Sequence, residues 1–554
     1  METADLSQLD VSSQNLDHHG LVAATFKDLG LLEKIHARIP NKDPRRIVST
    51  GHAVLAMVLN GLGFTNRRLY LSPQFFQDKP VDRLIDPKIE AKHLDDHALG
   101  EALDEIAEYG TSQLFGEIAL EVGIEQQLLG KTAHLDSTSF SVEGEYADLG
   151  KGGSGISVSH GFSKDHRPDL KQVMLALCTS GPSDLPIWIE PQSGNTSDKK
   201  EFDRIIRRVR DFKAQLKDCP DFRWIGDSAL YTKEGLLSQN DYLWISRVPE
   251  TLSEAKKLVE EENSKIEWSN DGLLDESGYK WAPFSSHYGG VRQRWLLIYS
   301  EQAFKREKKT FEKNLTKKSQ ALEKELWHLG NQVFGCETDV DKEINKLKKA
   351  YPLHKIEYSI EPILKNASRG RPTGKSEKVQ KGYSLKSSSK VDELAVQSKL
   401  NSKGRFILAT NDLDASSLPD SQILQEYKSQ QGVERGFRFL KDPWFMVDSI
   451  FLKSPKRIEA LMMVMALCLM IYNVAQFRIR EKLRETNATI PNQLNKPIQN
   501  PTLRWIFQIM EGICKVYLFV KNAFLKEQTT NLTPVRAAII RLFGPTAMAI
   551  YSVS

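Results

Sequence analysis

TAHLDSTSFSV, residues Thr132–Val142, is the stretch from which the architecture of this chain is best approached. β-Branched and apolar residues are interleaved with small polar ones and no glycine or proline breaks the run, which predicts a strand. An acid, Asp136, stands inside it. Strands disfavour Asp unless its charge is solvated or paired, so the position calls for a reason beyond packing. Residues 156–162 and 172–179 are two further short runs of similar character, set apart by Gly, Ser, Asp and Pro, and the three read as consecutive strands. Residues 197–216 then read as a helix, FRWIG (222–226) as a strand and YLWISRV (242–248) as another. Strands followed by helix–strand alternation indicate an α/β domain.

Upstream, residues 17–130 read as helical, with apolar residues at spacings of three and four over 21–32, 52–62 and 98–122. Asp95 and Asp96 precede the last of these and read as helix caps, not catalysts. Downstream, residues 250–404 interrupt the α/β pattern. WLLIY (295–299) is strand-like, and 303–328 is a charged amphipathic helix with Phe304, Phe311, Leu315, Leu322 and Leu326 as its apolar stripe. Residues 366–402, rich in Gly, Ser and Lys, read as a flexible segment. The pattern resumes with RFILAT (Arg405–Thr410) and a single helix over 420–441. ALMMVMALCLMIY (460–472) falls short of the roughly 20 residues a bilayer span needs and reads as a buried core helix. Residues 502–544 read as helical and basic.

With 554 residues, 40% of them hydrophobic and 27% charged, the chain has material for about three or four units with a substantial core. Five scattered cysteines without a Cys-x-x-Cys pair argue against a disulfide scaffold and a cysteine zinc module. The acidic first ten residues do not resemble a secretory signal, so a cytoplasmic location is expected. The net charge of +4 hides an uneven distribution. Residues 1–130 carry 12 basic and 20 acidic residues, residues 301–410 carry 24 and 14, and residues 431–554 carry 17 and 8. A polyanion is therefore expected against the later half.

Two more acids join Asp136. Asp227 follows FRWIG, at the carboxyl end of a strand where α/β crevices open, although it could equally cap residues 228–237. Glu434 lies in EYKSQQGVERGFRFLK, and on one continuous helix Tyr427, Glu434 and Lys441, seven apart, share a stripe flanked by Gln430. An aromatic ring, a carboxylate and an ammonium on one line suit a DNA strand.

With these motifs in order, the chain resembles bacterial insertion-sequence DDE transposases of the Tyr-Arg-Glu-Lys signature group. Tyr427, Glu434 and Lys441 stand at the signature spacings, while Gln430 replaces the family arginine and lacks its charge and fork. HLDSTSF around Asp136, IGDSALYT around Asp227, GFSKDHRPDLKQ (161–172) and GNTSD (194–198) resemble recurring family phrases. The resemblance implies an α/β, RNase H-like catalytic domain interrupted by a large insertion, with helical N-terminal and C-terminal regions. Residues 1–130 would form the N-terminal domain, for DNA-end binding or dimerisation, and 131–249 and 405–480 the two parts of the catalytic domain. The insertion would be 250–404 and the helical C-terminal region 481–554.

It implies cut-and-paste transposition. Asp136, Asp227 and Glu434 would be catalytic and hold two Mg²⁺, with Mn²⁺ able to substitute. Double-stranded DNA, meaning transposon terminal inverted repeats and target, would be the partner, bound by a homodimer with no membrane involved. Tyr427, Gln430, Lys441, Lys164, His166, Arg167 and Lys171 would line the DNA path. Trp268, Trp281 and Trp295 in the insertion are candidates for end contacts or for core packing. Arg38, Lys42, Arg45, Arg46, Arg67 and Arg68 are a candidate N-terminal basic patch. An RNase H-like nuclease without strand transfer and an inactive end-binding protein are the competing readings.

Overall fold

The computed structural model describes residues 9–64, 71–142, 146, 155–164, 167–366, 378–442, 445, 452–520 and 523–553. Two compact units emerge, one of residues 1–245 with 424–554, the other of residues 246–423.

The first unit begins with strand β1 (Leu9–Asn15) and then runs through helices. The periodic segment at 98–122 is two helices, Asp96–Tyr109 and Thr111–Glu125, because Gly110 takes φ 107° and turns the chain between them. Asp95 caps the first of these through Ala98 N at 2.8 Å, as its sequence position suggests. The basic patch is dispersed. Arg38 is bound to Glu117 and Glu121, Arg46 to Glu105 and Arg45 to Asp43, while Arg67 and Arg68 lie outside the described residues.

The sheet of this unit follows the order β4-β3-β2-β5-β6, formed by Thr132–Val142 (β2), Lys171–Ser180 (β3), Leu185–Ser193 (β4), Arg223–Gly226 (β5) and Trp244–Arg247 (β6). β2–β3 and β3–β4 pair antiparallel, whereas β2–β5 is parallel. Residues 156–162 are not a strand. They contribute a single bridge, Ser159 to Gln172, and the third strand is instead Leu185–Ser193. That strand carries Pro186 and Pro191, residues that normally argue against a strand but are tolerated at a sheet margin, where β4 lies in this unit.

β3 is buried almost throughout, so both sheet faces are covered. The helices Thr111–Glu125 and Pro455–Glu485 pack against β4, and Gln431–Leu440 packs against β2 and β3. Pro455–Glu485 is longer than its apolar run. By length and composition it could cross a membrane, yet 83% of its apolar window is buried inside the protein.

The C-terminal segment departs from the all-helical expectation. Cys514–Val520 and Ala523–Thr530 form a hairpin that pairs with β1 in a three-stranded sheet, between helices Leu503–Met510 and Pro534–Phe543. Its strands are rich in Val, Tyr, Phe and Thr, which favour a half-buried pleat over a helix.

In the second unit, Tyr279–Ser286 (β7), Gln293–Ser300 (β8) and Arg405–Thr410 (β11) lie in the order β11-β8-β7. The helices Glu301–Gly330 and Glu337–Ala350 close a separate small core with β9 (His354–Asn366) and β10 (Lys378–Val391), built on Leu322, Leu326, Val340, Ile344, Ile356 and Leu385. Residues 378–391, expected to be flexible, are thus a long strand paired antiparallel with β9, and Glu393–Asn401 is a helix. Cross-strand pairing outweighs the poor local propensity of the Ser- and Lys-rich sequence. Trp295 is buried, with Nε1 donating to Gln293 Oε1 at 3.1 Å, and Trp268 is half-buried beneath the Lys280 ammonium. Trp281 is half-buried on β7.

Candidate active site

The three acids come from a strand, the residue after a second strand and a helix of the first unit. β2 and β5 pair Thr132 with Arg223, Ala133 with Trp224 and His134 with Ile225, an offset of 91 residues (223 − 132). Asp136 and Asp227 differ by the same 91 (227 − 136), so each lies two residues beyond the last pair, Asp227 in the first position after its strand. Gly226, the last residue of that strand, lies near Leu135: a Cβ built there would lie 3.9 Å from Leu135 O.

Glu434 arrives by a different route. The segment expected to be one helix over 420–441 is two, Asp420–Lys428 and Gln431–Leu440. Between them the chain tightens to three-residue hydrogen bonds: Gln430 N to Tyr427 O at 3.1 Å, Gly432 N to Ser429 O at 2.9 Å and Val433 N to Gln430 O at 3.0 Å. The seven-residue stripe from Tyr427 to Lys441 therefore does not hold, since the phase changes at the joint. The first turn of the second helix packs closely on a neighbouring loop. Gly432 lies against Asp184, where a Cβ would come within 2.0 Å of Oδ1.

Asp136 and Glu434 nonetheless line one open cleft of about 670 Å³, together with Lys164, Lys441, Ser137, Arg438 and Asp442. Glu434 and Arg438 are exposed. The Lys164 ammonium donates to Ser137 O at 2.6 Å and Ser137 Oγ at 3.0 Å and lies 4.0 Å from Asp136 Oδ1, which also accepts from Ser137 N at 2.7 Å. Lys441 Nζ stands 5.6 Å from the centroid of the Phe140 ring. The cleft thus sets three carboxylates, Asp136, Glu434 and Asp442, among three cations, Lys164, Arg438 and Lys441, an arrangement suited to a bound phosphodiester beside a cation-binding pair.

The remaining residues are placed differently. Asp227 accepts from Ala229 N at 2.8 Å, a bond within the turn that follows the strand and not a helix cap: the helix expected over 228–237 is Lys233–Ser238, and Thr232 caps it. A carboxylate has about four lone-pair sites, so this bond does not consume its capacity. Among the described residues no three His, Cys, Asp or Glu side chains stand together as a ready metal cage. Gln430 is 8% exposed and does not present its amide to a surface strand; Tyr427 is half-buried. Neither borders the cleft. Arg167 pairs with Asp169 at 2.8 Å, and Lys171 donates to Tyr146 O at 2.7 Å. His166 lies outside the described residues. Arg438 and Asp442 are cleft residues that motif context does not single out; the spacing of four places Arg438 on Glu434's face of the helix, and Asp442 follows the helix end.

A family model described as transposase DDE domain matches residues 131–471, well over half of the chain, and a domain of unknown function (DUF4277) matches residues 11–120. No curated protein matches the chain. Among solved structures, a cryo-EM structure of a piggyBac transposase synaptic complex with hairpin DNA is similar at 9% identity and a TM-score of 0.37, covering 91% of this chain and 82% of that one. The matched region contains β2, β5 and the Glu434 helix, and with them Asp136, Asp227 and Glu434. The chain therefore belongs to the transposase DDE domain family.

Proposed function

We propose that this DNA transposase carries out cut-and-paste transposition of a bacterial insertion sequence, cleaving phosphodiester bonds at the element's ends and joining them to target DNA. The observation that carries the reading is the meeting of Asp136 and Glu434 in one cleft beside Lys164, Arg438 and Lys441, with Asp227 directly after the strand that pairs with Asp136's strand. The strand order β4-β3-β2-β5-β6, with two antiparallel pairs and a parallel β2–β5 pair, supports an RNase H-like catalytic core. The separate unit of residues 246–423 supports an insertion between the second and third acids.

The donor set, all carboxylate oxygens, fits a hard divalent cation, with Asp136, Asp227 and Glu434 as its holders and Mg²⁺ or Mn²⁺, in two copies, as the ion. Such a cation supplies Lewis acidity at the phosphodiester and lowers the pKa of an attacking water or 3′-hydroxyl. The protein's own contribution is positional. Lys164 screens Asp136 and fixes the Ser137 backbone beside it, and Lys441 and Arg438 offer charge to the strand being cut. Terminal inverted repeats and target DNA are the proposed partners, acted on by a homodimer in the cytoplasm, near the nucleoid.

Incubating the purified chain with a DNA fragment bearing the element's own ends, with and without Mg²⁺, tests the reading. Metal-dependent cutting at the ends followed by joining is expected. Cutting without joining would favour a nuclease, and cutting that survives Asp136→Asn would refute the site.

A further inference from the structure

A larger cavity of about 960 Å³ adjoins the carboxylate cleft in the first unit, and Arg438 and Asp442 line both. Five guanidinium groups face it: Arg435, Arg438, Arg480, Arg484 and Arg504. Three carboxylates answer them. Arg435 pairs with Asp184 at 2.9 Å, Arg484 with Glu481 at 2.7 Å, and Arg504 with Asp442. Arg480 donates Nε to the Pro501 carbonyl at 2.8 Å, and among the described residues no ion-pair carboxylate meets either Arg480 or Arg438. Burial, with Arg435 and Arg484 close by, holds the Arg480 guanidinium below its ordinary pKa. Cations crowded without matching anions cost energy that an anionic ligand would recover.

The walls are built to hold this charge in place. Phe64 sits at φ 52°, a left-handed backbone conformation rare for a bulky residue, and the Arg504 guanidinium lies 5.1 Å from its ring centroid. Strain of this kind tends to collect at functional sites.

We infer that this arginine cavity binds backbone phosphates of the DNA strand that leaves the carboxylate cleft, with Arg438 and Arg480 as the phosphate-binding residues. The inference rests on the DNA-cutting role proposed for that cleft and adds a second, sequence-independent anchor to it. Arg438 carries the strand from one cavity into the next. The paired arginines set the field, and the Phe64 ring positions Arg504.

The test uses the full chain carrying Asp136→Asn, so that bound DNA stays intact, and a fluorescent duplex bearing the element's ends. Binding is followed by anisotropy over a series of KCl concentrations. Adding Arg438→Gln and Arg480→Gln is expected to reduce the slope of log K against log[salt] by about two, one unit for each phosphate left without its arginine. Arg438→Gln alone, at an exposed position, reduces it by about one. Arg480→Lys keeps the charge and retains most of the slope. A slope unchanged in folded Arg438→Gln and Arg480→Gln proteins overturns the inference. So does an unchanged slope accompanied by thermal stabilisation from inorganic phosphate alone, which would mark a free-anion site. Cutting that survives Asp136→Asn would remove the carboxylate reading and leave the slope comparison to judge this cavity by itself.

Discussion

Replacing Gly432 with alanine would drive a methyl carbon to within 2.0 Å of Asp184 Oδ1 and 2.5 Å of its Cγ. Something must yield, and Asp184 is tied in place: its carboxylate receives Arg435 Nη2 at 2.9 Å and its carbonyl receives Asn473 Nδ2 at 2.9 Å. Overpacking of this kind costs about 1–3 kcal/mol. Loss of the Asn473 hydrogen bond adds about 1 kcal/mol. The Arg435 pair, whose arginine is 59% exposed, adds well under 1 kcal/mol. Alanine's better helix propensity returns about 1 kcal/mol.

The net expectation is a loss of about 2 kcal/mol, read as a fall of several degrees in the midpoint of thermal unfolding followed by circular dichroism. Because Gly432 is two residues from Glu434, end cleavage should also fall under conditions where the variant remains folded. Asp184 itself sits at φ 52°, so Asp184→Gly removes the obstacle and relaxes a strained backbone. The double variant Gly432→Ala with Asp184→Gly should recover most of the stability. Gly432→Ala as stable as the parent, or a double variant no better than the single, would refute the close approach of Gly432 to Asp184.

Asp136→Asn should reduce end cleavage at least about a thousandfold without lowering thermal stability, measured in single-turnover reactions on labelled ends. Lys164→Ala removes two hydrogen bonds to Ser137 and the cation nearest Asp136, and should slow cleavage about ten- to a hundredfold, with Lys164→Arg less impaired. Acid should destabilise the fold through buried histidines. Burial holds His18 and His134 down to about 4, so in this range the unfolded chain takes up protons near pH 6.5 that the folded chain refuses. Stability is then intact above about pH 6.5 and falls as pH drops toward 4, by about 1.4 kcal/mol per pH unit for each of the two. Urea titrations between pH 7 and 4.5 check this, and His134→Gln should flatten the profile.

Legibility in the sequence follows the balance between local and distant forces. β2, β3, β5, β6, β8 and β11 are readable because each is an unbroken apolar or β-branched run, and the core helix because Ala460–Ile471 is apolar all round. β4 is hidden by its two prolines, which only a place at the margin of its unit's sheet makes harmless. β10 is Ser- and Lys-rich and becomes a strand only through its pairing with β9, and the hairpin of Cys514–Val520 with Ala523–Thr530 is completed by β1 about 500 residues earlier, information that no short window holds. In the site, motif context leads to Asp136 and Glu434. The stripe built on Tyr427 fails because it carries regular helical geometry across Ser429 and Gln430, where the hydrogen bonds tighten and the helix is interrupted. The arginine cavity gathers residues from positions 64 to 504 and has no contiguous signal to read.

The shared offset of β2 and β5 has a consequence for how this enzyme can evolve. Alignment of the two aspartates is inherited from main-chain bonds a turn of pleat earlier, at His134 and Ile225, so the side chains themselves need not recognise each other. Their placement therefore depends on the count of residues along each strand and not on a contact between the two carboxylates. Deleting or inserting one residue between Thr132 and Asp136 would send the first acid to the opposite side of the sheet and silence the enzyme, even where every other residue were left unchanged.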